Sequence, residues 1–99
     1  MAVKKIIWST RASIELKKIL EFYNLRNKSI RYSLKLLNEI DDLTKSIAKN
    51  ELIGRLTSNK HTRVIPLKVF LVFYETDPET IKIVSFWDNR QNKRKRLKI

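Results

Sequence analysis

Apolar residues recur with a helical period along the first half of the chain and with the shorter period of strands along the second. Val3–Ser9 reads as a strand through the β-formers Ile6, Ile7 and Trp8, and Ser9-Thr10 then offers a helix N-cap. From Arg11 to about Tyr23 the set Ala12, Leu16, Ile19, Leu20 and Tyr23 falls at i, i+4, i+7, i+8 and i+11. Arg11, Glu15, Lys17 and Lys18 lie mostly off that stripe, which predicts an amphipathic helix. Asn24–Lys28 breaks the pattern, and Ser29 offers a second N-cap. A longer helix is predicted from Ile30 to about Ala48, burying Ile30, Leu34, Leu37, Ile40, Leu43 or Thr44, and Ile47. Two amphipathic helices on a short polar link predict an antiparallel helical hairpin.

Beyond the helices, Gly54 is the one glycine and an expected site of positive φ. His61–Ile65 alternates as a strand, and Pro66-Leu67 marks a bend or an edge, because proline cannot donate to a ladder. Val69–Tyr74 is almost continuously apolar, as a central strand would be. Asp77-Pro78-Glu79-Thr80 supplies turn chemistry, and Ile81–Trp87 forms the last strand. The order β-α-α-β-β-β predicts an α+β fold, with the N-terminal strand and helical hairpin on one face of a mainly antiparallel sheet.

The chain has 99 residues, the size of one domain, taken as 1–99 with a tail from 90 to 99. With no cysteine there is no disulfide, no thiolate catalysis and no Cys-based zinc site. The lone His61 argues against a transition-metal site, so neither metal nor cofactor is expected. No apolar run approaches the roughly 20 residues of a membrane span, and the Met1–Lys5 start lacks a signal-peptide core. A cytoplasmic protein that does not engage membranes is the expectation.

Charge changes this picture most. Twenty-two Lys and Arg against ten Asp and Glu leave a formal net charge of +12. Arg90, Lys93, Arg94, Lys95, Arg96 and Lys98 crowd the tail with no acid among them. Such a field favours polyanions through counterion release, without sequence preference. Nucleic acid, the ribosome or an acidic protein are the partners it suggests.

A strand ending in Trp8-Ser9 comes first, then Arg11-Ala12 leading into a Leu/Ile-rich helix, then a second long helix. Phe70-Leu71-Val72-Phe73-Tyr74 follows, and the last strand ends in Phe86-Trp87-Asp88-Asn89-Arg90-Gln91-Asn92. This ordered set resembles the RelE/ParE superfamily of bacterial toxins from type II toxin–antitoxin pairs, over essentially the whole length. The resemblance implies a toxin held in a hetero-oligomer by a cognate acidic antitoxin. It also implies one of two targets: messenger RNA cut on the ribosome without metal by RelE-like members, or DNA gyrase inhibited by ParE-like members that are not nucleases. Ribosome-dependent messenger cleavage is the expectation, with gyrase inhibition or a non-catalytic basic nucleic-acid-binding domain as the alternatives. The chain departs from common family endings in having Lys93 where proline often stands.

If the chain cuts RNA, the 2′-hydroxyl must lose a proton and the phosphorane must be stabilised. Strand parity puts His61, Arg63 and Ile65 on one face, with Thr62 and Val64 on the other. If the helices cover the Val64 face, Arg63 and Arg90 become a phosphate pair on the open face. His61 would then move the proton, because imidazole ordinarily titrates near neutral pH. Lys60, Lys68, Lys93 and Arg94 would add RNA contacts. Each has a plainer alternative: His61 as a solvated strand-start residue, Arg63 as an antitoxin contact, Arg90 as the tie between tail and sheet. Tyr74 reads as core, and Trp8, Phe86 and Trp87 as packing aromatics, with Trp87 also able to stack a nucleotide. Glu51 lies near the region of a possible carboxylate base, but no motif anchors it.

Overall fold

The structure, a computed structural model, describes residues 3–99, so Met1 and Ala2 of the N-terminal reading lie outside it. It contains strands β1 (Lys5–Trp8), β2 (Arg55–Leu56), β3 (Thr62–Leu67), β4 (Phe70–Thr76) and β5 (Thr80–Asp88). Helices α1 (Thr10–Asn27) and α2 (Arg31–Lys49) separate β1 from β2, and a single 3-10 turn covers Lys93–Lys95. The sheet order is β1-β5-β4-β3-β2. β1 runs parallel to β5, and every other pair is antiparallel. The fold is therefore α+β as expected, with β4 in the centre and one unforeseen two-residue edge strand. No helix among the described residues is long and apolar enough to cross a membrane.

Local chemistry sets the boundaries. The Ser9 hydroxyl accepts from Ala12 N at 3.0 Å and caps α1, as its sequence predicts. α1 runs through the expected break to Asn27 and ends on Lys28 in the left-handed region, at φ 51°. Its polar last turn survives because Asn24 Oδ1 accepts the Ser33 hydroxyl across the hairpin. Between β4 and β5, Asp77 Oδ1 accepts Glu79 N at 3.0 Å and Thr80 N at 2.7 Å, closing the turn.

The apolar residues split between the two faces of the sheet. Phe70, Val72, Tyr74, Ile81, Ile83 and Phe86 face the helices and form the main core with Ala12, Ile19, Leu36 and Ile47. Burying each of the large aliphatic and phenyl side chains contributes about 1.5–3 kcal/mol. Val64, Phe73 and Trp87 form a second cluster on the opposite face, where Leu97 and Ile99 of the tail pack on them. This corrects the parity reading: Ile65 and Leu67 pack in the helix-side core, whereas Val64 lies under the tail. The register shift at Phe73/Tyr74 leaves one extra β5 residue at Val84.

The buried face of α2 also differs from its expected stripe. Ser33, Leu36, Ile40, Thr44, Ile47 and Ala48 are buried, while Ile30, Leu34 and Leu37 are exposed. Ser33 Oγ reaches Leu20 O and Asn24 Oδ1, so a small hydroxyl sits where the helices approach. A stripe drawn through the large aliphatics alone is rotated away from that contact.

Gly54 is required for space and not for a left-handed backbone. The positive φ values fall on Lys28, Lys60 and Lys68, and on no glycine. A Cβ at Gly54 would stand 2.7 Å from the Tyr74 hydroxyl oxygen. That hydroxyl donates to Glu51 O and accepts from Gly54 N, both at 2.8 Å, in a fully buried ring. Tyr74 thereby pins the chain that leaves α2.

Gly54→Ala is expected to lower unfolding stability by about 1–3 kcal/mol through overpacking. Tyr74→Phe should cost about 1–3 kcal/mol for the unsatisfied backbone groups. Because both act at one contact, denaturant melts should give the double variant a cost below the sum. Strict additivity would remove the contact as the cause.

Candidate functional site

Beyond the end of β5 the chain makes a charged knot. Asp88 Oδ1 accepts Arg90 Nε at 3.0 Å and Arg90 N at 2.9 Å, and Asp88 Oδ2 accepts Arg90 Nη2 at 2.7 Å. The same Nη2 donates to the Tyr23 hydroxyl on α1. Tyr23 in turn lies 4.4 Å from Tyr32 between ring centroids, so the knot fastens the sheet end to both helices. The Arg90 hydrogen bonds hold the Asp88 carboxyl below the usual carboxylate range, against the opposing effect of burial. Those bonds and the one to Tyr23 raise the Arg90 guanidinium above its ordinary value. Burial first, and Tyr23 second, push the Tyr32 phenol up. Arg90 is thus the tie between tail and sheet, although its side chain stays 54% exposed.

Arg63, His61 and Lys60 lie at the opposite end. Arg63 pairs with Tyr74 across β3 and β4, while Asp88 pairs with Phe70. Four residues of β4 separate those positions, about 13 Å at roughly 3.3 Å per residue. Arg63 and Arg90 are therefore not brought together as a phosphate pair. Nor does Arg63 project from an open face: it lies on the helix side, and its Nη1 donates to Gly54 O at 2.8 Å. His61 is exposed just before β3, where Asn59 Oδ1 accepts its backbone N–H at 2.8 Å. Lys60 is exposed beside it in the left-handed region, at φ 65°.

Lys68 occupies the β3–β4 turn near Arg90 and pairs with Glu39 at 2.8 Å. Lys93 and Arg94 are exposed on the 3-10 turn. Glu51 is paired with Lys4, and its carbonyl holds Tyr74. Tyr74 is core, as its sequence setting suggested. The tail runs back over the sheet: Arg11 Nη2 donates to Lys95 O at 2.9 Å and Ser58 N donates to Ile99 O at 2.8 Å. Among the described residues no group of three His, Cys, Asp or Glu side chains comes together as a metal site.

What the fold does assemble is a cavity of about 580 Å³ between the outer side of α1 and the end of β5. Its apolar floor holds the buried Ile19 and Phe86, Trp87 borders it from the end of β5, and its rim carries Lys18, Arg26, Arg90 and Lys95. Glu15 also lines it but is internally engaged, its Oε1 accepting Ser85 Oγ at 2.8 Å and Phe86 N at 3.2 Å. Sequence reasoning set Glu15 aside as a surface residue. Its spacing three after Ala12 and four before Ile19 was the available signal for a half-buried position. The i, i+4, i+8 row Lys18, Phe22, Arg26 was equally legible. Such a rim and floor can bind an anionic partner that carries a ring.

A family model described as ParE toxin of type II toxin-antitoxin system, parDE, matches residues 6–93. Among solved structures, the chain is similar to the chromosomal ParDE TA system from P. aeruginosa, with a TM-score of 0.72 and 19% identity over 87% of this chain and 96% of that one. It is also similar to the YoeB dimer from Staphylococcus aureus, with a TM-score of 0.60 and 22% identity over 87% of this chain and 97% of that one. At these identities the likeness is one of fold. No curated protein matches the chain significantly in sequence.

Asp88→Asn is expected to cost about 1–2 kcal/mol at pH 7, allowing for screening at the half-exposed guanidinium. Because the folded carboxyl titrates below its unfolded value, this stabilisation is present above about pH 4. It is lost as the pH falls through the folded value, so parent and variant melts should converge in acid. A gap that persists well below that range would assign the effect to packing.

Proposed function

The chain belongs to the ParE toxin family of type II toxin–antitoxin systems, and from that premise we propose that it acts by binding, with DNA gyrase as its target. Its neutralising partner is a cognate acidic antitoxin in the same cytoplasm. One observation carries the choice between targets: both arginines that a cleavage centre would use already serve as internal braces. Arg63 holds the backbone at Gly54, and Arg90 holds Asp88 and Tyr23. A phosphoryl-transfer site needs its proton-transfer group and its cations within hydrogen-bond reach of one phosphate. Here His61 and Arg90 stand at opposite ends of the sheet. Binding demands no such convergence, and it suits a protein of net charge +12 meeting a negatively charged partner.

The same charge explains the antitoxin. An acidic segment across the Arg90 end and the His61–Arg63 end would neutralise the cations that face a target. Association would be fast at low ionic strength and slower as salt screens the field.

Two assays on the purified chain decide the target. Plasmid supercoiling by gyrase should fall in a dose-dependent way, with recovery on adding the antitoxin encoded beside the gene. A translation extract given the same doses should keep its messenger intact. Unimpeded supercoiling together with mapped messenger cuts would reverse the assignment in favour of an mRNA interferase.

A further inference from the structure

We propose that the cavity between α1 and the end of β5 binds a nucleotide unit, one base with its flanking phosphates, and that single-stranded nucleic acid supplies it. The observation is a row on the outer side of α1. Lys18, Phe22 and Arg26 are spaced four residues apart, so they lie one above another, about 6 Å apart along the axis. All three line the cavity. Phe22 is 53% exposed, unusual for so large an apolar ring, and its edge-to-face contact with Tyr23 at 5.2 Å fixes the ring. Lys18, Arg26 and Lys95 have no acidic partner among the described residues. The two acids at the cavity are already engaged, Asp88 by Arg90 and Glu15 by Ser85 and Phe86 N.

A cation on each side of a held aromatic ring matches a strand, in which each base has a phosphate on either side. The base stacks on Phe22 over the apolar floor, and the phosphates meet Lys18 and Arg26 along the helix. Lys95 and the exposed edge of Arg90 close the far rim. The cavity volume of about 580 Å³ falls in the range of small-ligand pockets and admits one unstacked base. A duplex keeps its bases stacked and could reach only the cations. An acidic peptide would use the cations and leave Phe22 idle. This reading does not depend on gyrase being the toxin's target.

The test is fluorescence titration of the full chain with a labelled thymidine 12-mer, in competition with its duplex, thymidine monophosphate and poly-glutamate. The single strand should win over the duplex and over poly-glutamate at equal charge. Phe22→Ala should weaken strand binding about 5- to 100-fold, and Phe22→Trp should restore it. Lys18→Ala and Arg26→Ala should each reduce the slope of log affinity against log salt by about 0.7. Competition by the mononucleotide within tenfold of the strand would identify the free nucleotide as the source, and weak competition the strand. Unfolding melts confirm that the exposed Phe22 variants remain folded. Equal binding of duplex or poly-glutamate, or a Phe22→Ala variant that binds like the parent, would overturn the proposal by reducing the site to a basic surface.

Discussion

A strand covered on both faces needs two sets of partners, and β4 and β5 impose that demand on everything around them. Phe70, Val72, Tyr74 and Phe86 face the helices, while Phe73 and Trp87 face the other way. The helical hairpin can satisfy only one side. The second falls to the last residues of the chain, where Leu97 and Ile99 alternate with cations and cover Phe73 and Trp87. The tail is therefore drawn across the sheet by apolar burial despite its charge, and its carbonyls are held by Arg11 and Ser58. That closure decides which face of the protein is left to meet partners.

Electrostatics follows from the same geometry. The chain has few acids, and many of them are used inside: Asp88 on Arg90, Glu39 on Lys68, Glu51 on Lys4, Glu15 on the β5 bulge. The first three contacts each fix one cation as structure, the fourth spends an acid on the backbone, and together they leave many of the remaining Lys and Arg without compensation. The surface field is thus stronger than an even mixture of signs would give, and it favours anionic partners at long range. Lys18 and Arg26 belong to the uncompensated set, and Arg63 and Arg90 to the structural one. Which arginine is free is a matter of partners, and net charge alone does not reveal it.

Much of the fold was legible in the sequence where the signal is local. The Ser9 cap, the Asp77 turn, the central β4 and the two helices each depend on residues close together in the chain. Pro66 sits on β3 past the end of β2, at an edge, as a residue without an N–H should. What failed was long-range. Parity correctly separated Arg63 from Val64, but only the path of the tail decides which of them faces the helices. The α2 stripe held at Ile40, Thr44 and Ile47 but failed over the first turns, because Ser33 is buried for fit against α1, and a pattern of large aliphatics cannot register fit. Gly54 was singled out for the right reason of uniqueness but the wrong conformation, since its neighbour in space is Tyr74, twenty residues on. The candidate site suffered most, because Arg63 and Arg90 were joined by charge and chemistry with no information on distance.

The same scaffold serves toxins named for different systems, ParDE and YoeB, and the likeness of this chain to both is one of backbone. Fold likeness of this kind does not carry chemistry; side chains do. In this chain the arginine after the last strand is spent on Asp88 and Tyr23, and that use has a structural return. It joins α1, the end of β5 and the start of the tail in a single knot, so the strap over the second face begins from a fixed point. Freeing Arg90 for a phosphate would loosen the strap that shields Phe73 and Trp87. The unspent cations on the outer side of α1 bear no such duty, and they are where this molecule can meet an anion without unfolding any part of itself.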